Sequence, residues 1–182
     1  MIHILGIPGS LRKESYNAAL LRAAAGLVPD ECTINVASIR ELPLYDGDLE
    51  TAVGPPAVVA AFKQRILAAD GLILASPEYN HSIPGVFKNA VDWASRPPSA
   101  FGGKPVAVMG ATPGRMGTIL AQSAWLPVLR VLGMRLYVGK SLMISGAAEV
   151  FADDGRITDE TILDKLREFV CGFAGFVASS RG

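Results

Sequence analysis

The sequence predicts an α/β fold in which one parallel β-sheet carries helices on both faces. Short β-rich runs alternate five times with longer helical patterns along the 182 residues. Runs such as HILGI and GLILAS are almost entirely apolar, which is typical of strands buried on both faces. Half of the residues are hydrophobic, and no stretch resembles a linker. We therefore expect one domain over residues 1–182.

The elements follow one another in a regular order. Strands are predicted at residues 3–7, 32–39, 71–76, 104–111 and 135–144. Helices are predicted at 16–28, 56–69, 84–95, 117–132 and 158–179. Pro55 and Pro56 open the second helix, Pro127 is expected to kink the fourth, and Thr158 is the expected N-cap of the last.

Charge and cysteine content exclude several classes of function. Lys plus Arg and Asp plus Glu number 17 each, so no overall positive field attracts a nucleic acid or an anionic membrane. Cys32 and Cys171 form no CxxC pair, and the only histidines are His3 and His81, which argues against a metal site. We expect reduced thiols in a cytoplasmic protein, with no targeting or membrane-spanning segment.

Two common strand orders compete for such a chain, and the loops distinguish them. A dinucleotide-binding fold needs G-x-G-x-x-G in the first strand-to-helix turn, whereas this turn offers only Gly6 and Gly9. The flavodoxin-like order 2-1-3-4-5 instead places a ligand at the loops after strands one and three. Those loops, PGSLRKESYN and SPEYNHSIPG, are the most elaborate in the chain. We therefore predict a five-stranded flavodoxin-like sheet.

The first loop carries a set of donors for a small dianion. Ser10 and Ser15 supply hydroxyls, Asn17 an amide and Arg12 a guanidinium, beside the backbone N–H groups of a helix start. This set predicts a phosphate site. A plainer interpretation stays open at this point: Ser15 or Asn17 caps the helix, and Arg12 extends into solvent.

The second loop has the character of a rigid, polar-edged surface. Pro77 and Pro84 stiffen it, and the backbone between them presents donors and acceptors beside Tyr79 and Asn80. A planar heterocycle with polar edges suits such a surface. His81 is expected to be an exposed loop residue rather than a base.

Together the two loops resemble the NADPH-dependent FMN reductase family, a flavodoxin-like group that includes quinone, chromate and azo-dye reductases. The resemblance rests on GSLRKESYN followed by SPEYNHSIPGVFKNAVDW and covers nearly the whole chain. It implies three groups of FMN-binding residues: Ser10, Arg12, Ser15 and Asn17 at the phosphate, Pro77, Glu78, Tyr79, Asn80, His81 and Ser82 around the isoalloxazine ring, and Thr112, Gly114 and Arg115 along its outer side.

The resemblance also implies an activity. NADPH or NADH would deliver a hydride to the flavin N5 and leave. A small-molecule acceptor such as a quinone, chromate, an azo dye or a ferric species would then occupy the place of the nicotinamide, which gives ping-pong kinetics. No catalytic side chain is expected, because the flavin carries the chemistry. The alternative is a flavodoxin-type electron carrier without NAD(P)H turnover. Such carriers commonly have a strongly acidic surface, whereas this chain has no net charge, which argues against the alternative.

A homodimer or homotetramer is expected as well. Val86, Phe87, Val91 and Trp93 give the helix after the second loop more apolar surface than one packed face needs. Trp93 is the expected contact with a partner subunit.

Overall fold

Six parallel strands form the central sheet. The computed structural model describes residues 1–180, so the last two residues of the predicted domain lie outside the described part. The strands are β1 (Ile2–Pro8), β2 (Cys32–Val36), β3 (Gly71–Ala75), β4 (Pro105–Ala111), β5 (Arg135–Leu136) and β6 (Leu142–Ile144). They lie in the order β2-β1-β3-β4-β5, with β6 also paired to β4. The predicted order 2-1-3-4-5 is confirmed.

The predicted fifth strand is divided in two. β5 pairs Leu136 with Val106, and β6 pairs Leu142 with Met109, so six residue steps face only three on β4. Residues 137–141 therefore lie between the two strands. The N–H of Tyr137 still donates to the Val106 carbonyl, and the Tyr137 ring centroid lies 5.7–6.0 Å from those of Phe169, Phe173 and Phe176. Packing of this ring against the last helix accompanies the extra residues that separate the two strands.

Helices cover both faces of the sheet, as predicted. They are α1 (Tyr16–Ala25), α2 (Gly47–Val53), α3 (Ala57–Ala68), α4 (Gly85–Ser95), α5 (Ile119–Val131), α6 (Ala147–Val150) and α7 (Glu160–Ser179). Buried residues of α1 and α7 form the core on one face, and those of α3, α4 and α5 form the core on the other. No helix within residues 1–180 is long and apolar enough to cross a membrane.

One local prediction about helices is corrected, and one short helix was not predicted. α7 begins after Asp159, whose carboxylate accepts from the N–H groups of Thr161 and Ile162. The Thr158 hydroxyl instead donates to the Val150 carbonyl, 3.1 Å away. The short helix α2, capped by Asp46, was not predicted; it has no buried residue and thus no apolar periodicity to reveal it.

The expected contact of Trp93 with a partner subunit is wrong. The residue is 0% exposed, and its indole N–H donates to the Pro43 carbonyl at 2.9 Å. The ring of Tyr45 meets the indole edge-on with centroids 4.8 Å apart. The segment before α2 therefore covers Trp93 within its own subunit, and Phe87 and Val91 are buried in the same core.

Candidate functional site

Three loops meet at the carboxyl edge of the sheet. β1, β3 and β4 are neighbours and parallel, so the loops that follow them, at residues 9–15, 76–84 and 112–118, emerge side by side. Between them lies a cavity of about 160 Å³, which we call the three-loop cavity. Its lining is Ser10, Arg12, Ser15, Tyr16, Asn17, Pro77, Glu78, Tyr79, Ala111, Thr112 and Pro113.

Most of the predicted site residues line this cavity. Those that lie on the same loops but outside the lining are Asn80, His81, Ser82, Gly114 and Arg115. Sequence reasoning missed Tyr16, Ala111 and Pro113. Tyr16 had a signal, because it is the first helical residue after a serine that caps the helix. Ala111 and Pro113 had none beyond their place at the end of a strand.

The first loop brings a helix start close to the sheet. The N–H of Gly9 donates to the Ala75 carbonyl at 2.8 Å, and a Cβ at Gly9 would lie 2.2 Å from the ring of Phe87. No larger residue fits here without moving α4. Ser15 is the N-cap of α1, and its hydroxyl accepts from the N–H of Ala18 at 3.3 Å. The N–H groups of Tyr16 and Asn17 have no carbonyl partner within the helix and face outward from its start.

The Asn17 side chain ties the start of α1 to the end of β4. Its amide oxygen accepts from the Ala111 N–H at 3.0 Å, and its amide nitrogen donates to the Ala111 carbonyl at 2.8 Å. Asn17 is buried. These two bonds use the amide oxygen and one of the two amide protons, so the residue fixes the shape of the cavity and keeps one donor for a ligand.

Ser10 and Arg12 complete the donor set of the first loop. The Ser10 hydroxyl accepts from the Arg12 N–H and lies 3.2 Å from the Tyr79 hydroxyl, which joins the first loop to the second. Arg12 is exposed, and no ion pair holds its guanidinium within residues 1–180. A cation without an ion-pair partner therefore lines the cavity beside a helix N-terminus.

The second loop turns back on itself. Tyr79 and Ser82 exchange both backbone hydrogen bonds, at 3.1 and 3.0 Å. The two residues between them take positive φ values, 50° for Asn80 and 60° for His81, a conformation that asparagine tolerates better than most residues. The side chain of His81 is 78% exposed, as expected from the sequence. This tight turn leaves the Tyr79 ring at the mouth of the cavity.

Glu78 holds the second loop against helix α5. Its Oε2 accepts from the N–H groups of Leu120 and Ala121, at 2.9 and 3.0 Å. The preceding residue Thr118 makes no cap bond, so Glu78 takes the place of an N-cap side chain, and its negative charge suits the helix dipole. Its Oε1 lies 3.4 Å from Nδ1 of His81. This carboxylate is therefore engaged by the protein itself.

The third loop is fixed to β6. The Thr112 N–H donates to the Ile144 carbonyl, and the Thr112 hydroxyl accepts from the N–H of Gly114 at 3.3 Å. The Gly114 carbonyl in turn accepts from the Gly146 N–H. Arg115 lies beyond these bonds and is exposed. The loop forms the outer wall of the cavity.

The residues present fit the phosphate end of FMN. Two backbone N–H groups at a helix start, the hydroxyls of Ser10 and Ser15 and the guanidinium of Arg12 are the donors that a phosphate monoester dianion needs. The cavity is too small for a complete flavin. The isoalloxazine ring would therefore lie outside it, along the rim formed by the second and third loops.

Comparison with protein-family models finds a match over most of the chain. The model described as NADPH-dependent FMN reductase matches residues 2–149. The match includes all three loops of the cavity.

Individual relatives agree with that match over most of their lengths. The chain is 47% identical to an NAD(P)H-dependent FMN reductase of Pseudomonas aeruginosa, over 93% of this chain and 89% of the relative. It is 39% identical to a 2-hydroxy-1,4-benzoquinone reductase of Burkholderia, over 99% and 98% of the two chains. Among solved structures, the flavoenzyme NAD(P)H:(acceptor) oxidoreductase FerB of Paracoccus denitrificans superposes with a TM-score of 0.89 at 35% identity, covering 99% of both chains.

Proposed function

The chain belongs to the NADPH-dependent FMN reductase family, and from this premise we propose that it binds FMN at the three-loop cavity, oxidises NAD(P)H and reduces a quinone. The observation that carries the proposal is the donor set of Ser10, Ser15 and Arg12 at a helix start inside the cavity. The names of the relatives support reductase activity and not the alternative of an electron carrier without NAD(P)H turnover.

The first loop would hold the FMN phosphate. The Tyr16 and Asn17 N–H groups donate along the axis of α1, where the helix dipole favours an anion. Arg12 adds a charge-assisted bond, and Ser10 and Ser15 add hydroxyl donors. When bound, FMN supplies the capacity to accept a hydride and to pass electrons on.

The second and third loops would position the ring. Backbone groups of Asn80, His81 and Ser82 lie in a turn whose own hydrogen bonds fix their directions. Thr112, Gly114 and Arg115 would border the opposite side. The pairing of Glu78 with α5 removes the nearest carboxylate from acid–base work, which agrees with chemistry carried by the cofactor.

A quinone is the proposed acceptor because two considerations favour it. One relative is named for reduction of a benzoquinone. The half-exposed ring of Tyr79 stands beside the cavity and offers an aromatic edge to a planar acceptor. Chromate, azo dyes and ferric species then become comparison substrates in the assay.

The proposal is tested by steady-state oxidation of NADPH by the FMN-loaded protein, with 1,4-benzoquinone as the acceptor. We expect turnover that depends on FMN and on the quinone, with parallel lines in double-reciprocal plots because the two substrates bind in turn. Intersecting lines would contradict the ping-pong scheme. The absence of turnover with a full complement of FMN would contradict the proposed activity.

We also propose that the protein assembles as a pair of dimers. Most of the large exposed apolar side chains within residues 1–180 fall into two groups, which are Leu44, Tyr45, Leu49 and Val53 around α2, and Met116, Ile119, Leu120, Leu126, Val131, Val138 and Met143 around α5, β5 and β6. Apolar surface of this kind marks interfaces, and two separate groups suit the two contacts of a tetramer.

Sedimentation of the FMN-loaded protein at micromolar concentration tests this assembly. We expect a species of about four times the 19.2 kDa chain mass, with Val53→Asp or Leu126→Asp reducing it to dimers. A single species at the monomer mass would contradict the assembly. A cytoplasmic location is proposed with it, because Cys32 and Cys171 are both free thiols.

A further inference from the structure

Glu78 is a charged residue between the second and third loops. It lies on the second loop, and its Oε2 accepts from the N–H groups of Leu120 and Ala121 at the start of α5, which follows the third loop. Its side chain is 9% exposed. Within residues 1–180, Glu78 is the only acidic residue in the lining of the three-loop cavity. A negative charge is therefore held in a nearly buried position beside the proposed flavin site.

The hydrogen bonds of Glu78 do not by themselves require a charged side chain. Thr118 occupies the N-cap position of α5, where a threonine hydroxyl commonly accepts from the first N–H groups of the helix. Here that hydroxyl makes no cap bond and instead accepts from the side-chain amide of Gln122 at 3.1 Å. A neutral amide oxygen at residue 78 also accepts from backbone N–H groups. The carboxylate thus adds a charge to bonds that a neutral side chain can make.

The protein balances the charge of Glu78 only in part. No lysine or arginine among the described residues forms an ion pair with it. Nδ1 of His81 lies 3.4 Å from its Oε1, but the His81 side chain is 78% exposed and its charge is screened by water. The start of α5 contributes the equivalent of about half a positive charge. The net charge at this point is negative, whereas α5 without Glu78 would present its positive end to the site.

The sign of this charge matters for a bound flavin. Two-electron reduction of FMN with uptake of one proton leaves one additional negative charge on the ring system. A helix N-terminus stabilises an added negative charge, and a nearly buried carboxylate destabilises it, because little water screens the interaction. A net negative charge beside the ring therefore lowers the midpoint potential of the flavin, so that the reduced cofactor gives up its electrons more readily.

We propose that Glu78 sets the midpoint potential of the bound FMN at a low value by covering the positive end of α5 with a carboxylate. The inference rests on the proposed function, which places the isoalloxazine ring along the rim of the second and third loops. Glu78 acts on the ring through its charge and not by transferring a proton. The lower potential favours the passage of electrons from the reduced flavin to a quinone.

Spectroelectrochemical titration of the FMN-loaded protein measures this potential without NADPH and without a quinone. Glu78→Gln keeps the shape of the side chain and an oxygen acceptor for α5 but removes the charge. We expect the equilibrium constant for two-electron reduction to rise about tenfold, which corresponds to a midpoint potential about 30 mV more positive. Glu31→Gln is the matched control, because it removes the same charge from an exposed residue at the amino end of β2, and it should leave the potential unchanged.

A second variant separates the charge of Glu78 from its structural role. Glu78→Asp keeps the charge but is one methylene shorter, so it should lower the Tm of the apoprotein and leave the potential near the wild-type value. If Glu78 only caps α5, Glu78→Gln will have the wild-type potential, which would overturn the inference. Equal shifts of the potential in Glu78→Gln and Glu78→Asp would also overturn it, because they would indicate a displaced ring and not a lost charge.

Turnover of the wild-type protein separates this inference from the proposed function. Normal NADPH oxidation with an unchanged potential in Glu78→Gln would contradict the inference alone. A tenfold change in the reduction equilibrium without any NADPH oxidation by the FMN-loaded wild type would contradict the proposed function alone. A wild-type protein that binds no FMN would contradict both.

Discussion

The first and second loops of the site contain similar polar residues but use them differently. In the first loop, the Arg12 guanidinium has no ion pair within residues 1–180, and the first N–H groups of α1 have no carbonyl partner within the helix. In the second loop, Tyr79 and Ser82 bind one another and Glu78 binds the start of α5. The comparison shows that residue type alone does not distinguish a ligand-binding group from one that supports the structure. The distinction depends on whether each polar atom already has a hydrogen-bond or ion-pair partner in the protein.

This difference assigns distinct properties to the two loops. Changes in the first loop should weaken FMN binding while the apoprotein stays stable. Changes in the second loop should act first on the stability of the apoprotein or on the position of the bound isoalloxazine ring. Four substitutions test the contrast.

The largest effect is expected for Glu78→Ala. The change leaves two backbone N–H groups at the start of α5 without a partner and removes a favourable charge at the helix N-terminus. We expect a loss of about 2–3 kcal/mol in the free energy of unfolding, or a fall in Tm of about 5–10 °C. Thermal unfolding of the apoprotein measures it, with the exposed Glu41→Ala as the control. A loss as small as that of the control would show that the cap bond contributes nothing.

Arg12→Ala should act on the ligand alone. Because Arg12 is exposed and has no ion-pair partner within residues 1–180, the Tm of the apoprotein should not change. Loss of a charge-assisted bond of about 1.5–3 kcal/mol should weaken FMN by roughly 10- to 100-fold. Fluorescence titration measures the FMN affinity. Arg22→Ala is the control: Arg22 lies on α1 but does not line the three-loop cavity, so this variant should bind FMN normally. Unchanged FMN affinity in Arg12→Ala would remove Arg12 from the phosphate site.

Tyr79→Phe tests the one hydrogen bond between the two loops. The Tyr79 and Ser10 hydroxyls lie 3.2 Å apart, and this bond is worth about 0.5–1.5 kcal/mol. We expect FMN affinity to fall between about two- and tenfold. A double-mutant cycle with Ser10→Ala isolates the bond, since the two losses should not add. Strict additivity would mean that each residue acts on FMN independently.

His81→Asn should have the smallest effect. The side chain is 78% exposed and its φ is +60°, which asparagine accepts more readily than histidine. We expect FMN affinity within about twofold of the wild type and a modest change in turnover. A hundredfold loss of the reduction rate with FMN still bound would give His81 a part in the chemistry.

The sequence was informative wherever a structural signal is local. The alternation of strands and helices predicted the parallel sheet, and the loops after strands one and three predicted its order. The apolar periodicity from Tyr16 onward predicted where α1 begins. The predicted strand at 135–144 was only partly correct: β5 ends at Leu136, β6 begins at Leu142, and the ring of Tyr137 between them packs against the distant helix α7.

Long-range partners were beyond sequence reasoning. Asn17 binds a backbone group 94 residues away, and Glu78 caps a helix 42 residues away. Nothing near either residue indicates these partners. The same limit explains Trp93, since the segment that buries it is 50 residues earlier and has no periodic pattern. Sequence motifs located the site, and tertiary contacts decided which members of the motifs remain available to a ligand.

Anaerobic spectroscopy of the purified protein tests the central claim most directly. The protein reconstituted with FMN should show the yellow flavin spectrum, which should bleach when NADPH is added and return when 1,4-benzoquinone follows. Arg12→Ala at the same FMN concentration should retain less bound flavin. A flavin spectrum that stays unchanged by both NADPH and NADH, or a protein that binds no FMN, would contradict the account.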